Sequence, residues 1–162
     1  MSVCTEPEAG TESAPAAEPA PKRATWYVDS SVLLRALLGD SAAAKSWFEQ
    51  AKAHGDRFIG SRMVEVEVRR VVRNIGQPQD AADAYLDEFA LDSIDNDLLD
   101  ESIAIPHPLG AADSIHVATA MRLGTGTLTL VTHDAQMARA AQALGFTVHD
   151  PVTDDPNRAP VA

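Results

Sequence analysis

Four carboxylates in this 162-residue chain stand where an α/β fold gathers chemistry. Asp29 ends the β-prone segment TWYVD and precedes the helix-like SSVLLRALLGD, while Asp134 follows the apolar run TLTLV within VTHDAQM. Asp113 falls in the first turn of AADSIHVATAMRLG, and Glu67 lies inside RMVEVEVRRVVRNIG. Each has an ordinary explanation. Asp is favoured at helix N-caps, where its side chain satisfies free backbone N–H groups, and a first-turn acid is favoured by the helix dipole. The neighbours of Asp113 at i+4 and i+7 are Val117 and Ala120, so helical spacing turns it toward the protein. Glu65 and Glu67 differ by about 200° around a helix, so only one of them can enter a shared site. Met63, Val64 and Val71 surround Glu67 and make it the inward acid, whereas Glu65, among Ser61, Arg62 and Arg69, reads as a solvated Glu–Arg pair.

Carboxylates that converge in one crevice raise one another's pKa values unless a cation neutralises them. The fitting cations are Mg²⁺ and Mn²⁺, hard ions that take oxygen ligands, keep several waters, and in nucleases activate water while stabilising a leaving oxygen. No nucleophilic side chain is then needed. From spacing alone, the four-acid metal site and four unrelated caps or surface charges both remain open.

The elements that must position these acids alternate along the chain. After the strand TWYVD comes a helix with Ser30 or Ser31 as its cap; SAAAKSWFEQAKAHG is a second helix, capped by Ser41 and stopped by Gly55, and RFIGS is a short strand. RMVEVEVRRVVRNIG is helical by length and by its Gly ending, despite valines that lower propensity. Pro78 starts a helix over PQDAADAYLDEFA, LDSI is a brief strand, and DLLDESIAI is helical before the loop IPHPLG. AADSIHVATAMRLG and DAQMARAAQALG are helices ending at Gly124 and Gly145, with TLTLV as a buried strand between them and FTVHD as the last strand. Strands alternating with helices predict an α/β sandwich with a mainly parallel sheet, whose sites lie at the carboxyl ends of strands.

Composition bounds the function. The hydrophobic fraction of 45% suits one domain, expected over residues 25–150. Residues 1–24 are dominated by Ala, Pro, Glu, Ser and Thr and are expected to be a disordered tail, as residues 151–162 are expected to form a polar C-terminal one. No segment reads as a secretory signal or approaches the ~20 apolar residues of a membrane span, so a cytoplasmic protein is expected. The single Cys4 excludes a disulfide framework and thiolate metal sites. The formal charge of −11 argues against broad electrostatic capture of nucleic acid. Much of that excess is local: Asp80, Asp83, Asp87, Glu88, Asp92, Asp95, Asp97, Asp100 and Glu101 lie in one stretch without Lys or Arg, which reads as a solvated acidic face.

Together, YVDSSVLLRALLGD, SRMVEVEVRR, AADSIHVATAMRLG and VTHDAQMARAAQALGF resemble the PIN-domain family, most closely the VapC-type toxins of bacterial toxin–antitoxin pairs, over residues 26 to 150. The family's acids fall in order on Asp29, on Glu67 in a Ser-x(5)-Glu-Val setting, on Asp113 in DSIHVATA and on Asp134 in THD. The resemblance implies a three-layer α/β/α fold and Mg²⁺- or Mn²⁺-dependent endoribonuclease activity with all four acids as ligands. It also implies a homodimer and a small VapB-type antitoxin whose C-terminal segment covers the site. It further suggests Thr132 or Ser30 in support of a carboxylate or a metal water. His116 and His133 are left outside the site, because hard ions prefer oxygen and a histidine beside Ile115 and Val117 is more often structural. Arg62, Arg69 and Arg73 share a helix face that reads as solvated. The alternative, a PIN-fold scaffold with little turnover, would be favoured by a missing acid. A phosphoryl-acceptor domain would want a lysine at a late strand end, where none of Lys22, Lys45 and Lys52 lies.

Overall fold

The computed structural model describes Met1 and residues 22–152. The elements in chain order are β1 (Thr25–Val28), α1 (Ser30–Leu38), α2 (Ala42–His54), β2 (Arg57–Ser61), α3 (Arg62–Asn74), α4 (Asp80–Leu86), β3 (Phe89–Asp92), α5 (Asn96–Ile103), α6 (Ala111–Leu123), β4 (Thr129–Val131), α7 (Ala135–Ala143) and β5 (Thr147–His149). The strands form one sheet in the order β3-β2-β1-β4-β5, and every neighbouring pair is parallel. Parallel neighbours require crossovers, and each crossover here carries helix, which covers both faces of the sheet.

One face is packed around Val28, Leu33, Phe48, Phe58, Val64 and Val68, which brings α1, α2, α3 and α4 together. The other is packed around Tyr27, Val117, Leu130 and Met137 beneath α6 and α7, and α5 joins α6 through Leu98, Ile115 and Ala118. The result is the expected three-layer α/β/α sandwich. Val64, Val68 and Val72, four residues apart and fully buried, show why a valine-rich segment is helical. Burying each contributes roughly 1.5–3 kcal/mol, more than the fraction of a kcal/mol that valine's low helix propensity costs.

The strand order reverses between β1 and β4, so a crevice opens at the carboxyl ends of these two strands. Asp29 directly follows one strand, and Thr132 to Asp134 follow the other. No helix among the described residues is long and apolar enough to cross a membrane.

Two local expectations shift. The helix expected from Pro78 to Ala90 is confined to Asp80–Leu86, and β3 starts at Phe89 rather than Leu91. The reason is tertiary: Phe89 stacks with Phe58 at 5.6 Å and with Phe48 at 6.2 Å, and these contacts hold it on the sheet. TLTLV pairs only from Thr129, because the Thr127 hydroxyl donates to the carbonyls of Leu123 and Gly124 at the end of α6. Most of the expected N-terminal tail, residues 2–21, and residues 153–162 lie outside the described residues. Packing continues at both junctions. The Ala24 N–H donates to Asp56 at 3.0 Å, and Pro151 and Val152 are buried.

Candidate metal centre

Asp29 occupies the N-cap position of α1, yet its side chain caps nothing. It is 3% exposed, and its backbone N–H extends the sheet by donating to the Val131 carbonyl at 2.9 Å. Its Oδ2 accepts from Ser31 Oγ at 2.6 Å and Thr132 Oγ1 at 3.0 Å, and Ser30 Oγ lies 3.5 Å from Oδ1. The serines expected to cap α1 are thus turned toward Asp29. Hydroxyls orient a carboxylate without neutralising it, and among the described residues no Lys or Arg pairs with Asp29.

Thr132, fully buried, joins two of the acids: its hydroxyl donates to Asp29 and accepts from the Asp134 backbone N–H at 3.1 Å. Asp134 does serve as a cap, since its Oδ1 accepts from the Met137 N–H at 2.7 Å. Its side chain is exposed and bears on Asp113 electrostatically. The ordinary explanation therefore fails for Asp29 and is satisfied, without excluding a second role, for Asp134.

Asp113 projects from the first turn of α6 and is half-buried, with no hydrogen-bond or ion-pair partner among the described residues. Burial, then the negative charges of Asp29 and Asp134, push its carboxyl up from the ordinary value; His116 opposes this and Glu67 adds to it. Gly110 leaves room for it: a Cβ there would lie 3.3 Å from Asp113 Oδ2. Val117 and Ala120 are fully buried, as the helical spacing predicts for the face that carries Asp113 inward.

Glu67 sits on α3 beside the valine stripe and turns toward α6, where its Oε2 accepts from His116 Nε2 at 2.9 Å. Burial pushes the Glu67 carboxyl up, but the His116 bond, the His116 charge and the Ser30 hydroxyl reverse that and hold it below the usual carboxylate value. Glu65 turns away, as expected, and pairs with Arg69 at 3.0 Å and Arg62 at 3.1 Å, while Arg69 also meets Asp83 at 2.8 Å.

Donor atoms of Asp29, Glu67 and His116 lie within 4.8 Å of one another. An ionised carboxylate only accepts, so the His116 nitrogen facing Glu67 carries hydrogen and has no lone pair for an ion. The donors left are oxygens, the set that suits Mg²⁺ or Mn²⁺. A half-buried carboxylate without a donor, in the field of three others, is the electrostatic setting that a divalent cation relieves.

Of the four sequence-predicted acids, the structure brings Asp29 and Glu67 into one cluster with His116, while Asp113 feels the charges of Asp29, Asp134 and Glu67 without joining that cluster. Ser30 and Thr132 both lie against Asp29. Sequence reasoning missed Ser31, Tyr27 and Ser61 and set His116 aside. Signals for them existed: His116 is one helical turn beyond Asp113, and Tyr27 precedes Asp29 by two, the spacing that shares a sheet face. His133 stays outside the cluster, its Nδ1 bonded to Asp150 Oδ2 at 2.9 Å.

Ribonuclease VapC46 of Mycobacterium tuberculosis is 30% identical over 132 residues, covering 79% of this chain and 98% of the relative. Ribonuclease VapC47 of the same species is 26% identical over 133 residues, covering 77% and 96%. Among solved structures, a toxin–antitoxin complex from Klebsiella pneumoniae superposes with a TM-score of 0.60 at 25% identity, covering 77% of this chain and 96% of the matched one. The PIN domain family model matches residues 26–143, a span that contains all four acids, β2, β3, β4 and all but the first residue of β1, and the chain belongs to the PIN domain family.

Proposed function

We propose that this chain is a Mg²⁺- or Mn²⁺-dependent endoribonuclease, the toxin of a toxin–antitoxin pair, and that Asp29, Glu67, Asp113 and Asp134 hold the ion. The observation that carries the reading is the clustering of Asp29 and Glu67 beside a sheet switch point, with a half-buried Asp113 carboxylate that has no donor among the described residues and feels the charges of Asp29, Asp134 and Glu67. The ribonuclease names of the relatives supply the substrate class.

When bound, such an ion supplies Lewis-acid stabilisation of the phosphodiester and a water of lowered pKa. The chain's own groups supply the rest. Asp29, held by Ser31 and Thr132, keeps one carboxylate orientation, so its ordering is complete before substrate arrives. Asp113, which has no donor among the described residues, and the Asp134 oxygen that does not cap α7 would offer acceptors to a water. Hydrolysis adds that water across the P–O bond, leaving a phosphate monoester on one RNA fragment and a hydroxyl on the other.

The partners follow from the same relatives. The Klebsiella pneumoniae neighbour is a toxin–antitoxin complex, and the proposal extends a small VapB-type antitoxin and a homodimer in the cytoplasm to this chain. An exposed apolar strip supports a protein partner: Ile103 is 81% exposed and Met121 44%, beside a groove of about 360 Å³ between α5 and α6.

The test is cleavage of total RNA by purified, partner-free protein with Mn²⁺ or Mg²⁺ against EDTA, with Asp29→Asn alongside. Discrete cleavage that needs metal and is lost in the variant is expected. Folded protein that binds metal but cuts no RNA class would favour the scaffold alternative.

A further inference from the structure

We propose that His116 is a positioning residue of this centre, one whose Nε2–H fixes the Glu67 carboxylate and whose ring is fixed in turn by Tyr27 and Ser61. The inference rests on the metal-site reading above and adds to it a residue that neither holds the ion nor touches substrate.

Three observations carry it. The His116 ring is fully buried, yet it bonds outward to an acid whose side chain is 29% exposed, so its polar edge serves the crevice rather than the core. Glu67 is long and lies at a helix surface. Without a partner it loses rotamer entropy each time it must point inward, and the 2.9 Å bond removes that freedom in advance. The same nitrogen lies 3.6 Å from Asp29 Oδ1, which places one donor between two of the four acids.

The second observation is how the ring is held. Nδ1 lies 3.2 Å from Tyr27 Oη and 3.4 Å from Ser61 Oγ, and both residues are fully buried. Because Glu67 can only accept, Nε2 keeps its hydrogen, and the two hydroxyls adapt to Nδ1.

The third is where these contacts come from. Tyr27 lies on β1, two residues before Asp29; Ser61 ends β2 and caps α3, which carries Glu67; and His116 lies on α6, one turn after Asp113. One ring thus ties together the three elements that deliver three of the acids. A histidine that only filled space would not need a bond to each.

The experiment uses the full chain, stripped of metal, with Mn²⁺ as the probe in titration calorimetry, and reads kcat, KM and Tm in parallel for His116→Leu and His116→Gln. Leucine removes the donor; the glutamine amide reaches to the same place and donates to Glu67. His116→Leu is expected to weaken Mn²⁺ binding by roughly 10-fold or more, with kcat falling more than KM changes. His116→Gln is expected to recover Mn²⁺ affinity to within about threefold of wild type. If both variants bind Mn²⁺ like wild type and only Tm drops, His116 is core packing and the proposal is wrong. If both lose binding outright, the ring is itself a ligand and the proposal is equally wrong. Should His116→Leu not fold, Tyr27→Phe replaces it: a measurable loss of Mn²⁺ affinity is expected, and unchanged affinity overturns the idea. Wild type that neither binds Mn²⁺ nor cuts RNA would instead remove the metal-site reading, and this proposal with it.

Discussion

Thr132→Val deletes one hydroxyl while keeping the volume and branching of a buried residue at a strand end. That hydroxyl makes two bonds: it donates to the Asp29 carboxylate at 3.0 Å and accepts from the Asp134 N–H at 3.1 Å. A bond to a charged group contributes about 1.5–3 kcal/mol, and a neutral one about 0.5–1.5 kcal/mol. Ser31 remains on the same Asp29 oxygen at 2.6 Å, which favours the lower end of the first range. The expected loss is therefore ~2–3 kcal/mol, or roughly 6–9 °C in Tm for a domain of this size. The assay is urea unfolding in EDTA, where the midpoint should fall at constant slope, followed by Mn²⁺ titration, where affinity should drop because Asp29 is less ordered. Thr132→Ser should restore most of both. A valine variant equal to wild type in stability and Mn²⁺ affinity would refute the reasoning. A serine variant as impaired as the valine one would show that the methyl group matters rather than the hydroxyl.

Asp134→Asn keeps a good N-cap and removes the charge, so stability should change by less than about 0.5 kcal/mol while Mn²⁺ affinity and cleavage fall; Asp134→Ala should add a cap loss of ~1 kcal/mol, read by thermal unfolding. Burial, together with Asp29 and Asp134, holds the Asp113 carboxyl above its ordinary value, so the folded protein binds that proton more tightly than the unfolded chain. That contribution to stability is complete at acid pH and is lost as pH rises through the raised value. Asp113→Asn should therefore make the metal-free protein more stable than wild type at neutral pH, with a gap that narrows in acid and on adding Mn²⁺; a variant less stable at neutral pH would contradict this. Gly110→Ala crowds a movable carboxylate at 3.3 Å, so Mn²⁺ affinity should weaken with little change in Tm, and an unchanged affinity would show that the space is not used.

The fold was legible because periodicity and punctuation agree along most of the chain. Ser41 caps α2 by accepting from the Ala44 N–H, and Gly55 ends that helix at a φ of +81°. Legibility failed where distant residues decide. Nothing local in DEFALD says that Phe89 leaves the helix, because the stacking partners Phe48 and Phe58 are 41 and 31 residues away. The four acids were legible as positions on strand ends and helix faces, but their spacing could not separate a cap from a ligand. Asp29 and Asp134 share one local grammar and differ in burial and in which hydrogen bonds their oxygens make. The hydrogen bonds of His116 were not legible, because its partners Tyr27, Ser61 and Glu67 lie 89, 55 and 49 residues away.

The central claim is that these carboxylates gather to hold one or more hard cations. Anomalous scattering from crystals of the partner-free protein soaked in Mn²⁺ tests it most directly. The account predicts a peak in the crevice ligated by oxygens of Asp29, Glu67, Asp113 and Asp134, directly or through water, and absent in Asp113→Asn. No peak there at saturating Mn²⁺, or one seated on the His116 nitrogen, would contradict it.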